Sequence, residues 1–236
     1  MSQQCLRQRV IGIFEAVKSG PDTVDLLKDG VTLEKMEFLR QQVYKGDKSD
    51  HLSLADFVSD DKPDHVGLFA VTAGVGLEEI VSEYENDHDD YSVIMVKALA
   101  DRLAEAFAEK LHEIVRRDLW GYESGDKLEL EALISEDYEG IRPAPGYPAC
   151  PEHTEKEKLF SLIGARKCGI ELTSSFAMYP QASVSGYYFA HPDSRYFHVG
   201  KVLSDKVEDY ARRKGWSLEE AEKWLGPILA YENEKV

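Results

Sequence analysis

Residues 90–117, DYSVIMVKALADRLAEAFAEKLHEIVRR, contain neither glycine nor proline. Because these are the residues that most often interrupt helices, the stretch predicts one continuous helix, with Asp90 as its N-cap. At 1.5 Å per residue this helix would be on the order of 40 Å long. Its apolar side chains recur at spacings of three to five residues: Ile94, Leu99, Leu103, Ala106, Phe107, Leu111 and Ile114. We expect this rod to form the spine of the domain.

Strand-like segments lie on both sides of the long helix. Residues 10–14 (VIGIF) and 65–73 (HVGLFAVTA) are short, apolar and partly β-branched, and residues 170–190 and 196–202 alternate aromatic, β-branched and small side chains. These patterns predict strands, whereas residues 32–39 fit a helix or a strand equally well. Strands before and after a long helix indicate an α+β fold around a mainly antiparallel sheet.

Shorter helices are predicted in five further places. Near residue 154 a capping box, Thr154 with Glu157, marks a helix start, and serine caps precede the last two helices. The five predicted ranges are 77–84, 128–134, 154–166, 204–214 and 217–225.

Composition restricts the class of protein. The 236 residues are 43% hydrophobic, enough for a sizeable core, and no apolar run reaches the roughly 18 residues of a membrane-spanning helix. A formal net charge of −16 argues against nucleic acid as a partner, because phosphates require a basic surface. The N-terminus lacks a secretory signal, so we expect a cytoplasmic protein. No cysteine forms a CxxC pair, so we expect no metal site. We expect the chain to form a single domain.

Two short motifs have ordinary structural explanations beside functional ones. Gly74-Val75-Gly76 follows a predicted strand, as a Rossmann-type loop would, but Glu79 occupies the position of the third glycine. The acidic cluster at 87–90 (DHDD) could bind a metal or could cap the long helix and complement its dipole. Glu105, midway along that helix, is of a type usually found in solvent.

The most unusual segment is loop 140–153, GIRPAPGYPACPEH, which has four prolines within nine residues. Proline fixes φ and removes a backbone donor, so the loop would hold carbonyl acceptors in place, suited to a donor such as the amino group of adenine. Arg142 at its start offers a planar fork for a carboxylate. The alternative is a rigid connector that covers a sheet edge.

Aromatic residues concentrate between residues 187 and 197. Alternation predicts that Tyr187 and Phe189 face one side of a strand and Tyr188 the other. Core packing accounts for most of such rings, but Tyr196 and its neighbours could also stack on a base or face a sulfonium cation.

At these segments the sequence resembles a known family, the activation domain of cobalamin-dependent methionine synthase. The resemblance rests on RPAPGYPACPEHTEK (142–156) and SFAMYPQASVSGYYFAHPDSRYFHVG (175–200). It extends to HDDYSVIMVKALADRLAEAFAEKLHE (88–113) and VEDYARRKG (207–215), and it covers nearly the whole chain from about residue 10 onward.

The resemblance implies a twisted, mainly antiparallel sheet with a long central helix and flanking helices. It also implies that S-adenosylmethionine lies in a shallow groove, with Arg142 holding the methionyl carboxylate. The remaining implied contacts are Ala144, Tyr147, Tyr196, Phe197 and Glu105. Phe197 stands where some relatives have tyrosine, so it lacks that hydroxyl. No catalytic residue is implied.

The resemblance implies a role in reactivating cobalamin-dependent methionine synthase, an enzyme of methionine biosynthesis. Reactivation is the reductive methylation of its cob(II)alamin. No corrin-binding D-x-H-x-x-G signature occurs in the sequence, so cobalamin is expected on a partner domain or chain, with a flavodoxin or flavodoxin-like reductase as electron donor. We therefore expect the chain to act as a component of a methyltransferase that is inactive alone. The competing hypothesis is a shortened relative that serves as a scaffold without binding the ligand.

Two further expectations follow from the resemblance. The family has a helical segment before the VIGIF-like strand that supplies another acidic contact, and this chain is expected to lack it. Two basic groups could dock a flavoprotein or could simply complement helix C-termini: Arg212, Arg213 and Lys214, and Lys156, Lys158, Arg166 and Lys167.

Overall fold

The computed structural model describes residues 4–6, 9–43, 51–60, 62–124 and 128–232. The chain divides into two compact units, each assembled from three segments. Unit 1 comprises Met1–Ile13, Gly67–Glu139 and Lys156–Tyr188, and unit 2 comprises Phe14–Val66, Gly140–Glu155 and Phe189–Val236. Within the described ranges, no helix is both long and apolar enough to cross a membrane.

The strands form one main sheet and one short ribbon. The elements are β1 (Gln4–Leu6), β2 (Arg9–Gly20), β3 (Thr23–Lys28), β4 (Val31–Glu37), β5 (Asp64–Thr72), β6 (Glu171–Leu172), β7 (Met178–Tyr179) and β8 (Ser183–Tyr188). The main sheet has the order β4-β3-β2-β5-β8, with β1 also paired to β2, and β6 pairs with β7. Every pairing whose register is described is antiparallel, as predicted.

The ambiguous segment 32–39 belongs to a β-hairpin as far as Glu37, where its strand ends. Strands β3 and β4 pair from Thr23↔Glu37 to Lys28↔Val31. Between them, Asp29 and Gly30 have φ values of 53° and 77°. Two consecutive left-handed residues form the turn that matches the twist of a hairpin, and Asp-Gly is a favoured pair for it.

The helices follow the sequence pattern closely. They are α1 (Leu77–Asn86), α2 (Asp90–Ile114), α3 (Leu130–Ile134), α4 (Glu155–Ile163), α5 (Ser204–Lys214) and α6 (Leu218–Leu225). A π-helical turn, Val115–Leu119, extends α2 and completes the predicted rod. The N-cap of α2 is Asp89 rather than Asp90, since the Asp89 carboxylate accepts from the backbone N–H of Ser92 at 3.0 Å.

The middle of the long helix α2 is buried through small side chains rather than through its large apolar residues. Its alanines at positions 100, 104 and 108 are buried, whereas Ile94, Leu99 and Leu103 are exposed. Ala100 and Ala104 form a buried cluster with Ala182, so this part of the helix packs through small side chains. The recurring apolar residues correctly predicted a helix, but of Ile94, Leu99, Leu103 and Leu111 only Leu111 is buried.

Unit 1 contains a buried arginine at the end of this helix. Arg116 is fully buried, and its Nε donates to the Glu123 carboxylate at 2.9 Å. The guanidinium carbon lies 3.8 Å from the centre of the Tyr138 ring. Because a buried charge requires a partner, this cluster fixes the turn that follows α2.

Unit 2 has an aromatic core. The ring of Phe57 makes edge contacts with Phe189 and Phe197, and Phe38 makes another with Phe189. The strand predicted at 196–202 is absent from this described segment, where only Val202 forms an isolated bridge. The Val199 N–H donates instead to the Pro148 carbonyl at 2.9 Å. This segment therefore pairs with a loop where pairing with a neighbouring strand was expected.

Candidate functional site

Loop 140–153 lies wholly in unit 2 and is attached at its head to the chain that follows β8. Ile141 and Phe189 exchange two backbone hydrogen bonds, of 3.0 and 3.1 Å. The Arg142 N–H donates to the Tyr196 hydroxyl at 3.0 Å. Tyr196 therefore helps to hold the loop at the residue predicted to bind a carboxylate.

A tight internal turn shapes the middle of the loop. The Gly146 N–H donates to the Cys150 carbonyl at 2.7 Å, and the Cys150 N–H donates to the Tyr147 carbonyl at 2.9 Å. Gly146 has a φ of +96°, and a Cβ there would lie 2.2 Å from Cε1 of His153. Glycine is thus required both by the backbone conformation and by the close approach of the imidazole.

The predicted contact residues of unit 2 differ in exposure. Tyr147 is 58% exposed and Tyr196 is 42% exposed, so both present aromatic surface to solvent. Arg142 and Ala144 are half-buried. Phe197 is only 8% exposed, and its ring packs on Phe57. Loop 140–153 and the segment 196–197 thus bring a guanidinium and two exposed phenol rings into one unit.

Glu105 lies in the other unit. It is an exposed residue of α2, the solvated position that its residue type suggests. The structure therefore groups five of the six predicted contact residues in unit 2, and Glu105 in unit 1.

The tail of the loop ends in a buried carboxylate that the sequence did not indicate. Glu152 accepts hydrogen bonds from both the N–H and the hydroxyl of Thr154. Its Oε2 also accepts from the Tyr210 hydroxyl and from Lys214 Nζ, each at 3.2 Å. Lys214 Nζ donates in addition to Glu155. No local pattern signals this cluster, because its members are separated by about 60 residues in sequence.

The basic run at the end of α5 was predicted to form a possible docking surface, and this is wrong for Arg213 and Lys214, which pair with buried glutamates. Lys214 is engaged with the two glutamates, and Arg213 donates to Glu37 at 2.6 Å with both side chains largely buried. Only Arg212 of that run is exposed. In the second group Lys156 is also buried, and its Nζ donates to the Phe176 carbonyl at 3.1 Å.

Within the acidic cluster at 87–90, Asp89 caps the long helix. Hydrogen bonds from the hydroxyl and N–H of Ser92 lower the pKa of Asp89 below its ordinary value. Within the described ranges, no group of three or more His, Cys, Asp or Glu side chains is arranged to hold a metal ion.

Unit 1 contains a separate cavity of about 310 Å³. Its lining includes Gly74, Glu78, Lys97, Tyr179 and Gln181. Gly76 has a φ of +79° and precedes the first turn of α1, so the Gly74–Gly76 motif forms an ordinary strand-to-helix turn beside this cavity.

Comparison with known proteins gives two matches. The family model described as "Vitamin B12 dependent methionine synthase, activation domain" matches residues 1–215. The chain is 51% identical to the MetH reactivation domain whose crystal structure is bound to AdoHcy, with a TM-score of 0.90 over 95% of this chain and 70% of that one. Both matches confirm the family and the fold predicted from the sequence. The chain belongs to the activation-domain family of vitamin B12-dependent methionine synthase.

Proposed function

We propose that this chain binds S-adenosylmethionine and supports the reductive methylation that reactivates cobalamin-dependent methionine synthase. The observation that carries the proposal is the relative at 51% identity, which holds AdoHcy, the form of this ligand without its methyl group. We place the ligand on loop 140–153 and the segment 196–197 of unit 2. Glu105 remains a prediction of the resemblance.

The chemistry of the unit 2 residues fits such a ligand. The Arg142 guanidinium can bind a carboxylate through two parallel hydrogen bonds. The Ala144 carbonyl already accepts from the Tyr147 N–H at 3.1 Å and retains a second lone pair for a ligand donor. The exposed rings of Tyr147 and Tyr196 offer stacking surface for a base and π-faces for a cation.

The residues of this site would bind and orient rather than react. S-adenosylmethionine, when bound, supplies a methyl group on a positively charged sulfur. Holding that group in one orientation requires no general acid or base, so we assign no catalytic residue. Phe197 would not contact the ligand through a polar group. Its packing on Phe57 would instead support the backbone of the neighbouring Tyr196.

Cobalamin would be carried by a partner, the cobalamin-binding domain of methionine synthase, and the electron would come from a flavodoxin or flavodoxin-like reductase. The test follows the cobalamin absorbance spectrum with that domain, a low-potential donor and S-adenosylmethionine. Adding this chain should accelerate the spectral change. Equal rates with and without the chain, despite ligand binding, would contradict a role in reactivation.

Ligand binding itself separates this proposal from a scaffold role. Titration calorimetry with S-adenosylmethionine should give a saturable heat, and Arg142→Ala should weaken it. Arg212→Ala removes the same charge from an exposed side chain outside the proposed site, and should leave affinity unchanged. Absence of any heat at millimolar ligand would favour the scaffold.

A further inference from the structure

Loop 140–153 is fixed at both ends, and its two attachments differ in kind. The head is held by neutral backbone bonds between Ile141 and Phe189. The tail is held by Glu152, a buried carboxylate that reaches two side chains of α5, Tyr210 and Lys214. The tail attachment is therefore the one made through charged side chains.

The cluster around Glu152 is a buried charge system. The Lys214 side chain is 3% exposed, and its ammonium lies between the carboxylates of Glu152 and Glu155. It also lies 4.4 Å from the centre of the Trp216 ring. Burial would lower the pKa of Lys214, but Glu155 and Glu152 raise it above its ordinary value. The ammonium is thus kept charged, and both carboxylates depend on it for neutralisation.

We propose that Glu152 is a positioning residue, which through Lys214 and Tyr210 holds loop 140–153 in the conformation that binds the adenosyl ligand. This inference rests on the proposed function. Four prolines between Arg142 and Glu152 restrict the backbone, so a displaced tail cannot be absorbed locally and shifts the turn at Gly146. If the binding conformation is populated only in part, apparent affinity falls by that fraction.

The chain offers a matched pair of variants. Glu152→Gln and Glu155→Gln each remove one carboxylate charge from the same ammonium. Glu152 belongs to the loop, whereas Glu155 is the first residue of α4. A merely structural role for the charge cluster predicts similar effects of the two substitutions on the loop and on binding.

Two measurements on the full chain distinguish the roles. The first is amide exchange by NMR at Gly146, Cys150 and Val199, whose N–H groups hold the loop. The second is AdoHcy affinity by calorimetry. We expect Glu152→Gln to speed exchange at these amides and to weaken binding about tenfold, with protection restored by saturating AdoHcy. Glu155→Gln should change neither property, and neither variant should alter exchange in β5 and β8.

Each result decides a separate point. Equal affinities for Glu152→Gln and wild type would overturn the positioning role, as would equal weakening by both variants. A wild-type chain that binds no AdoHcy would instead overturn the proposed function, and with it the positioning role of Glu152, which rests on that function. If Glu152→Gln does not fold, Tyr210→Phe replaces it, because it removes the hydroxyl that donates to Glu152 at 3.2 Å and, at 3.4 Å, to the Glu37 carbonyl. Unchanged affinity in that variant would likewise count against the inference.

Discussion

Gly146 offers the sharpest perturbation of loop 140–153, because an added methyl group would meet two separate obstacles. The first is its φ of +96°, which side chains other than glycine rarely adopt. The second is His153, whose Cε1 and Nδ1 atoms would lie 2.2 and 2.6 Å from the new Cβ. His153 is exposed, whereas the backbone conformation is an obstacle that no side-chain movement can relieve.

We expect Gly146→Ala to disfavour the observed loop by about 1–3 kcal/mol, the usual cost of a side chain held in such a backbone conformation. At 1.4 kcal/mol per tenfold, AdoHcy affinity should fall roughly 5- to 150-fold. Calorimetric titration measures this loss. His153→Ala removes the overlap but not the backbone strain, so the double variant should keep most of the loss.

Gly30→Ala provides the matched control. Its φ is +77°, but nothing lies within 4 Å of the added Cβ, and the residue sits in the hairpin between β3 and β4. It should lower the melting temperature and leave affinity unchanged. The reasoning is refuted if Gly146→Ala binds AdoHcy like wild type, or if His153→Ala restores full affinity.

Four further predictions follow from single contacts. Arg142→Ala should weaken calorimetric AdoHcy binding by about 1.5–3 kcal/mol. Arg142→Lys should recover only part of that loss, since an ammonium cannot form the same fork. Tyr196→Phe removes the acceptor for the Arg142 N–H, so calorimetric affinity should fall by about 0.5–1.5 kcal/mol; an unchanged affinity would show that the loop head needs no such bond. Arg116→Met leaves Glu123 without its buried partner, so urea unfolding should show a loss of about 3–5 kcal/mol, against little change for the exposed Arg102→Met. Burial would raise the pKa of Asp56, but hydrogen bonds from Arg40, Ser53 and Lys18 lower it below its ordinary value of 3.8. The contribution of the Asp56 carboxylate to stability is therefore present above pH 3.8 and is lost as the pH falls further. Asp56→Asn should flatten this part of the curve of unfolding free energy against pH.

The segments that sequence reasoning described well are those whose signal is local. The absence of glycine and proline defined the long helix, and serine before residue 218 marked the start of α6, where the Ser217 hydroxyl accepts from the Glu220 N–H. The proline-rich loop and the aromatic segment after it were distinctive enough to indicate the family. Each of these features can be identified within a window of about 30 residues.

The features that were missed depend on contacts between distant parts of the chain. Three consecutive basic residues at 212–214 look like an exposed helix end, and only the fold places Lys214 between two glutamates from about 60 residues earlier. In the middle of α2, Ala100 and Ala104 are buried in a cluster with Ala182, a residue about 80 positions later, and periodicity cannot reveal such a partner. Residues 196–202 alternate as a strand would, yet Val199 pairs with Pro148 of a loop.

The central claim is that loop 140–153 of unit 2 holds the adenosyl ligand. Hydrogen exchange followed by mass spectrometry, with and without saturating AdoHcy, tests it directly. We predict that ligand-dependent protection falls on peptides covering 140–154 and 194–200. Protection confined to the peptides that line the 310 Å³ cavity of unit 1, around Gly74–Glu78 and Tyr179–Gln181, would contradict the account.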